Sequence, residues 1–141
     1  MKYIIQLSLL ISLLVSCSDE LATYEFESYN WKKNTPVDLS FDSDSEEKHD
    51  LVLEVRSIYD FSYPNLPLEF KLNQPDGSEI TFSKELSFDK DELECSGDFC
   101  DQRIVICKDF KFSKGTYLIR IKPTNISVDL YGFIDFRLIQ K

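Results

Sequence analysis

Apolar residues recur at every second position along most of the chain after residue 22, and no stretch there carries the three-to-four spacing of an amphipathic helix. The pattern centres on Leu51–Leu72. Leu51, Leu53 and Val55 alternate with Val52, Glu54 and Arg56, and Leu66, Leu68, Phe70 and Leu72 alternate with Pro67, Glu69 and Lys71, so both halves read as β-strands. Between them Tyr59, Phe61 and Tyr63 stand two apart before Pro64-Asn65. This stretch is too short for a helix and too aromatic for a solvated loop, so it reads as a corner whose rings pack down.

The same alternation places a first strand at Tyr24 and Phe26. Its phase slips by one before Tyr29 and Trp31, as a bulge near Glu27-Ser28 would cause. Val37, Leu39 and Phe41 form a short strand after Pro36, and residues 42–50 make a charged connection. Asn73-Gln74-Pro75-Asp76-Gly77 is a turn that brings Ile80 and Phe82 back as the hairpin partner of 66–72. Ile104, Val105, Ile106 and Cys107 are apolar on both sides, which predicts a central strand covered on both faces. Asp109–Lys114 reads as a turn, and Tyr117, Ile119 and Ile121 form the next strand. Residues 126–130 and 132–139 read as a closing pair. About eight or nine strands at roughly ten-residue spacing predict an all-β protein, a single β-sandwich domain over 23–141.

The N-terminus departs from this pattern. Lys2 precedes an apolar run from Tyr3 to Val15, shorter than the ~20 residues that span a bilayer, and Leu14-Val15-Ser16-Cys17 has the form of a bacterial lipobox. Residues 1–16 read as a lipoprotein signal peptide, Cys17 as the lipidated first residue of the mature chain, and 17–22 as its tether. Ser18-Asp19-Glu20 is similar to the signal that places some lipoproteins on the outer face of the outer membrane. The predicted localisation is therefore the outer membrane, lipid-anchored, with surface exposure as one reading and retention on the periplasmic face as the alternative.

Charge narrows the partners. The chain carries 16 basic and 25 acidic side chains. With no basic stripe to neutralise phosphates, nucleic acid is excluded as a partner.

Candidate chemistry is sparse. Cys95 and Cys100 flank Ser96-Gly97 in a long acidic loop and are expected to form a disulfide, with Cys107 left over on a buried strand. His49, the single histidine, lies in a charged loop, so no nucleophile triad can be assembled around it. Cysteine and histidine lack zinc spacing, and the acidic runs 42–47 and 89–98 lack the glycine and terminal glutamate of an EF-hand, so they read as solvated loops rather than calcium sites. No catalytic residue, metal or cofactor is expected, and the chain reads as a non-enzyme.

Several of these stretches resemble the gliding-motility lipoproteins of the GldH type. Arg56 followed by Phe61-Ser62-Tyr63-Pro64-Asn65-Leu66 and Leu68 is similar to that family's arginine, Tyr-Pro-Tyr-like corner and Asn-Leu strand entry. Trp31, Gly115-Thr116-Tyr117, and Leu130-Tyr131-Gly132-Phe133 with Phe136 and Leu138 resemble further family positions. Phe61 and Ser62 stand where the family has tyrosine and proline, and the cysteine loop is not a family feature. The resemblance implies a lipid-anchored scaffold or binding component of an envelope complex, with other envelope lipoproteins or motility components as partners. Arg56 and Asn65 would then fix the corner, of which Phe61 is a part, so that it presents Tyr59 and Tyr63 to a partner protein. The competing expectation is a surface glycan-binding lipoprotein that uses the same rings as a sugar platform.

Overall fold

A computed structural model describes residues 20–141. The signal peptide, Cys17 and the start of the tether lie outside the described residues. The described chain is all-β: β1 (Glu20–Glu25), β2 (Asn30–Trp31), β3 (Val37–Ser43), β4 (Lys48–Ile58), β5 (Asn65–Asn73), β6 (Glu79–Ser87), β7 (Glu94–Ser96), β8 (Phe99–Lys111), β9 (Gly115–Pro123), β10 (Leu130–Tyr131) and β11 (Phe133–Gln140). A five-stranded sheet of order β1-β11-β4-β8-β7 faces a four-stranded sheet of order β3-β9-β5-β6, and β2 pairs with β10 at one end.

The alternation within β4 and β5 builds the centre. Leu51, Leu53 and Val55 of β4 and Leu66, Leu68, Phe70 and Leu72 of β5 are all buried between the sheets. Burying one such side chain contributes roughly 1.5–3 kcal/mol. The aromatic corner after Ile58 carries the chain from one sheet to the other, which is why β4 and β5, adjacent in sequence, are not paired. The 73–77 turn closes the β5–β6 hairpin in the expected register, Phe70 opposite Phe82.

Five expectations are corrected. Residues 20–22, assigned to the tether, are paired with β11 as the start of β1. The slip near Ser28 is a 3-10 turn over Glu27–Tyr29, with Ser28 and Tyr29 at positive φ, rather than a bulge; it separates β1 from β2. β8 lies beside the edge and has one exposed face: Val105 is exposed and Cys107 is only half-buried. The stretch read as a turn at Asp109 belongs to β8, where register shifts opposite His49 and Leu51 and a left-handed Asp109 let Phe110 join the core. Residues 126–129 are loop, and β10 pairs with β2, because Gly132 at φ +113 breaks the path into β11. A further register shift between Phe133 and Asp135 turns both Phe133 and Phe136 inward.

Candidate functional site

Strand directions place the connections unequally. Every pairing is antiparallel, so β1, β4, β6 and β9 end at the same pole at which β3, β5, β8 and β11 begin. That pole gathers residues 26–36, 59–64, 88–98 and 124–132, while the other has only the short connections 44–47, 74–78 and 112–114. The start of β1 and the end of β11 lie at the short-turn pole. Five of the six exposed large apolar side chains among the described residues, Tyr29, Tyr59, Phe99, Val128 and Tyr131, stand at the loop-bearing pole, and the sixth is Val105.

The corner residues divide. Phe61 is half-buried, stacked on Phe88 with centroids 4.0 Å apart and edge-on to Phe133 at 4.8 Å. Tyr63 packs beside it at 5.9 Å and is also part of the core's margin. Tyr59 points away, 42% exposed, with the Lys90 ammonium 4.1 Å from its ring centre and that ammonium 3.7 Å from Asp60 Oδ1. The three rings therefore do not form a flat row. Asn65 is exposed at the first position of β5, opposite Ser87.

Arg56 does not reach the corner as expected. On the outer face of β4, its Nε and Nη2 donate to Asp101 Oδ1 and Oδ2 at 2.9 and 3.1 Å, a two-pronged bond to β8 that holds the guanidinium charged. It belongs to a ladder across three strands: Asp101, Arg56 and Asp135 in one row, and Arg103, Glu54 and Arg137 in the next. Arg103 Nε donates to Glu54 Oε2 at 2.9 Å, and Arg137 lies 3.5 Å from Glu54 and 3.4 Å from Asp135. Alternation assigned Glu54 and Arg56 to the outer face, but only strand order could pair them with the others.

Asp135, buried in this ladder, has its carboxyl pushed above the ordinary range by desolvation, which outweighs the nearby Arg137 and Arg56. For a carboxyl raised in the folded state, the native protein binds its proton first. Stability from this group therefore rises as pH falls from neutral through the raised value, levelling below the ordinary 3.8. Asp135→Asn is expected to raise the urea midpoint at pH 7, with the gain disappearing near pH 4. A variant less stable than wild type at pH 7 would show that the arginines dominate.

Cys95 and Cys100 are disulfide-bonded, and they face each other in the β7–β8 hairpin rather than in the unstructured loop that the sequence suggested. Cys100 is buried. Replacing both by alanine is expected to cost about 2 kcal/mol, the loop-closure value for so short a loop, read from urea unfolding. Cys107 is the free thiol among the described residues; burial raises its pKa, so it is not an activated nucleophile.

Among the hollows formed by the described residues, two involve these side chains and loops. A cleft of ≈ 430 Å³ lies between the 31–36 and 122–130 loops at the loop-bearing pole, with Lys32, Lys33, Lys122 and Glu69 among its walls. Asp129 ties the loops together by accepting from Lys33 N at 2.8 Å, and Trp31 Nε1 donates to Thr35 O at 2.7 Å. A groove of ≈ 310 Å³ lies over β4 and β8 beside β7, lined by Glu54, Glu92, Glu94, Asp101, Gln102 and Arg103. Among the described residues, no group of three or more His, Cys, Asp or Glu side chains has metal-holding geometry, and no helix is long and apolar enough to cross a membrane.

The fold and the pole define an all-β sandwich that carries its irregular connections and exposed rings at one end. The chain belongs to the GldH lipoprotein family, whose sequence profile matches residues 21–132. No curated protein matches it. Among solved structures it is similar to TmCBM61 in complex with β-1,4-galactotriose, at 12% identity over 79% of this chain and 69% of that one, with a TM-score of 0.38. A likeness of that degree carries nothing about ligand.

Proposed function

We propose that this protein is a lipid-anchored component of a cell-envelope complex of the gliding-motility type, held in the outer membrane through Cys17, and that it acts without catalysis by binding other envelope proteins at its loop-bearing pole. The observation that carries this reading is the gathering of exposed rings at the pole opposite the start of β1. Only two residues separate Cys17 from Glu20. At no more than ~3.6 Å per residue such a link keeps the short-turn pole close to the lipid. The other pole then stands one strand-length out, where a partner can reach it.

Family membership supports the lipoprotein part of this reading. The half-buried Phe61 and Tyr63, and the ammonium over Tyr59, favour a protein partner over a sugar platform, which needs a free flat ring face. Affinity capture of the intact lipoprotein from envelopes tests the reading. Other envelope lipoproteins are expected to co-purify, and Tyr131→Ala, removing a side chain that is 65% exposed, is expected to reduce them several-fold. Val105→Ala, on the outer sheet face, is expected to leave them unchanged. Recovery of the protein alone, or equal loss with both variants, would overturn it.

A further inference from the structure

Lysines from three segments of the chain meet at the short-turn end of the five-stranded sheet. Lys48 of β4 and Lys111 of β8 stand directly opposite each other in the ladder, and both are exposed. Their neighbours His49 and Phe110 face each other in the next row, with Phe110 in the core, so the two lysines are on the outer face. Like charges opposed in this way repel and weaken a sheet. Neither lysine has an ion-pair partner among the described residues.

Two more lysines share this end. Lys108 lies in the bulge of β8 opposite His49 and Leu51. Lys141 is held beside β4 through its backbone: Asp50 N donates to Lys141 O at 2.7 Å, and Lys141 N to Asp50 O at 3.0 Å. The carboxylates set among these lysines are Asp50 and Asp109, and the Asp50 carboxylate accepts from Asp109 N at 2.9 Å. Several other acids of this pole lie toward the four-stranded sheet: Asp42 at the end of β3, Asp76 in the β5–β6 turn and Glu79 at the start of β6. Asp44 and Glu46 belong to the connection arriving from that sheet.

The tether enters at the same end of the same sheet. β1 begins at Glu20, opposite Ile139, which stands two residues before Lys141. Three residue steps from Cys17 to Glu20 reach at most about 11 Å. β4 and β8 lie two and three strands from β1, about 10 and 15 Å at the usual spacing. We infer that this end of the five-stranded sheet docks on an anionic lipid surface, with Lys48 and Lys111 bonding headgroup phosphates and Lys108 and Lys141 beside them. Acyl chains on Cys17 hold the domain at the membrane, and the lysines fix which side of the sandwich rests on it. The inference rests on lipidation of Cys17 and is independent of what the loop-bearing pole binds.

The test adds the intact lipoprotein to preformed vesicles of phosphatidylcholine, alone or mixed with phosphatidylglycerol. Flotation reads anchoring, and acetic anhydride labelling followed by tandem mass spectrometry reads the accessibility of each lysine. The protein is expected to float with both vesicles. Lys48, Lys108 and Lys111 are expected to label about 5-fold more slowly on the anionic vesicles than on the neutral ones. Lys114, next to the start of β9 in the other sheet, is expected to slow less than 2-fold, and Lys32 and Lys33 at the far pole not at all. Equal slowing of Lys114 would mean that the tether and the surface potential act without a docked face, and would overturn the inference. So would the same slowing produced by inorganic phosphate in neutral detergent, which would make the lysine pair a site for a free anion. In the double variant Lys48→Gln/Lys111→Gln the slowing of Lys108 is expected to disappear. Its urea midpoint in neutral detergent is expected to equal or exceed that of wild type, because a repulsive pair is removed; a lower midpoint would assign the pair to the fold and overturn the docking role. Flotation without slowing would sink the docked face alone, whereas no flotation would remove the anchor and this inference with it.

Discussion

Gly132→Ala is expected to lower the stability of the domain by about 3 kcal/mol. Two costs combine. Gly132 sits at φ +113, where an L side chain meets its own backbone at roughly 1–2 kcal/mol. A Cβ there would also stand 2.8 Å from Ile58 Cγ1 and 2.9 Å from Phe61 Cδ2. Neither neighbour yields freely: Ile58 N donates to Gly132 O, and Phe61 is clamped between Phe88 and Phe133, so overpacking adds about 1–3 kcal/mol. Gly97→Ala provides the contrast, because its φ is +63 but nothing lies within 4 Å of the added atom. Only the backbone cost, about 1 kcal/mol, is expected there. Urea unfolding of both variants separates the terms, and equal losses would mean that the Ile58–Phe61 contact gives way. The Gly132 variant is further expected to displace the aromatic corner, and so to weaken partner capture even at temperatures where it is fully folded.

Phe133→Ala is expected to cost about 3–5 kcal/mol, at the upper end for a core phenylalanine. Its ring lies between the two aromatic groups of the loop-bearing pole. On one side are Phe26, Trp31 and Phe136 at 5.5, 5.4 and 5.6 Å, and on the other Phe61 and Phe88 at 4.8 and 6.0 Å. Removing it opens a cavity between five neighbouring rings, two of which, Trp31 and Phe136, are held in strands. Phe61→Ala, at the half-buried margin, is expected to cost less than half as much. The difference is measurable as two urea midpoints, and a Phe61 loss equal to that of Phe133 would mean that the corner rather than β11 carries the cluster. Because Phe133 joins the corner to the β1–β2 segment, its loss is expected to loosen both walls of the pole together.

These two residues also mark where the sequence was legible and where it was not. The alternation through Leu51–Val55 and Leu66–Leu72 was enough to place both central strands and to say which residues face the core, because a side chain's face in a strand follows from position alone. Turn chemistry at 73–77 was enough to pair β5 with β6. The pattern failed where a strand bends. At Asp109 and at Phe133–Asp135 an irregular residue shifts the phase, so Phe110 joins the core and Asp135 is buried without any period-two signal. It also failed for Ile104–Cys107, where an apolar run lies near the edge with one face open.

The candidate site was legible in part. Tyr59, Phe61 and Tyr63 drew attention as rings at alternating positions, but spacing could not say that Phe61 and Tyr63 pack inward while Tyr59 stays out. That depends on Phe88 and Phe133, 27 and 72 residues away in the chain. Arg56 was singled out without its partner, since Asp101 becomes its neighbour only when β8 lies beside β4. By itself the sequence determined the all-β class, the strand faces, the sense of the net charge and the residues of the aromatic corner, all of which rest on local stereochemistry and composition. Only the tertiary structure decided strand order, the outer-face charge ladder and the gathering of the exposed rings at a single pole. Those follow from long-range antiparallel pairing, whose energy is shared among strands and is written in no one segment.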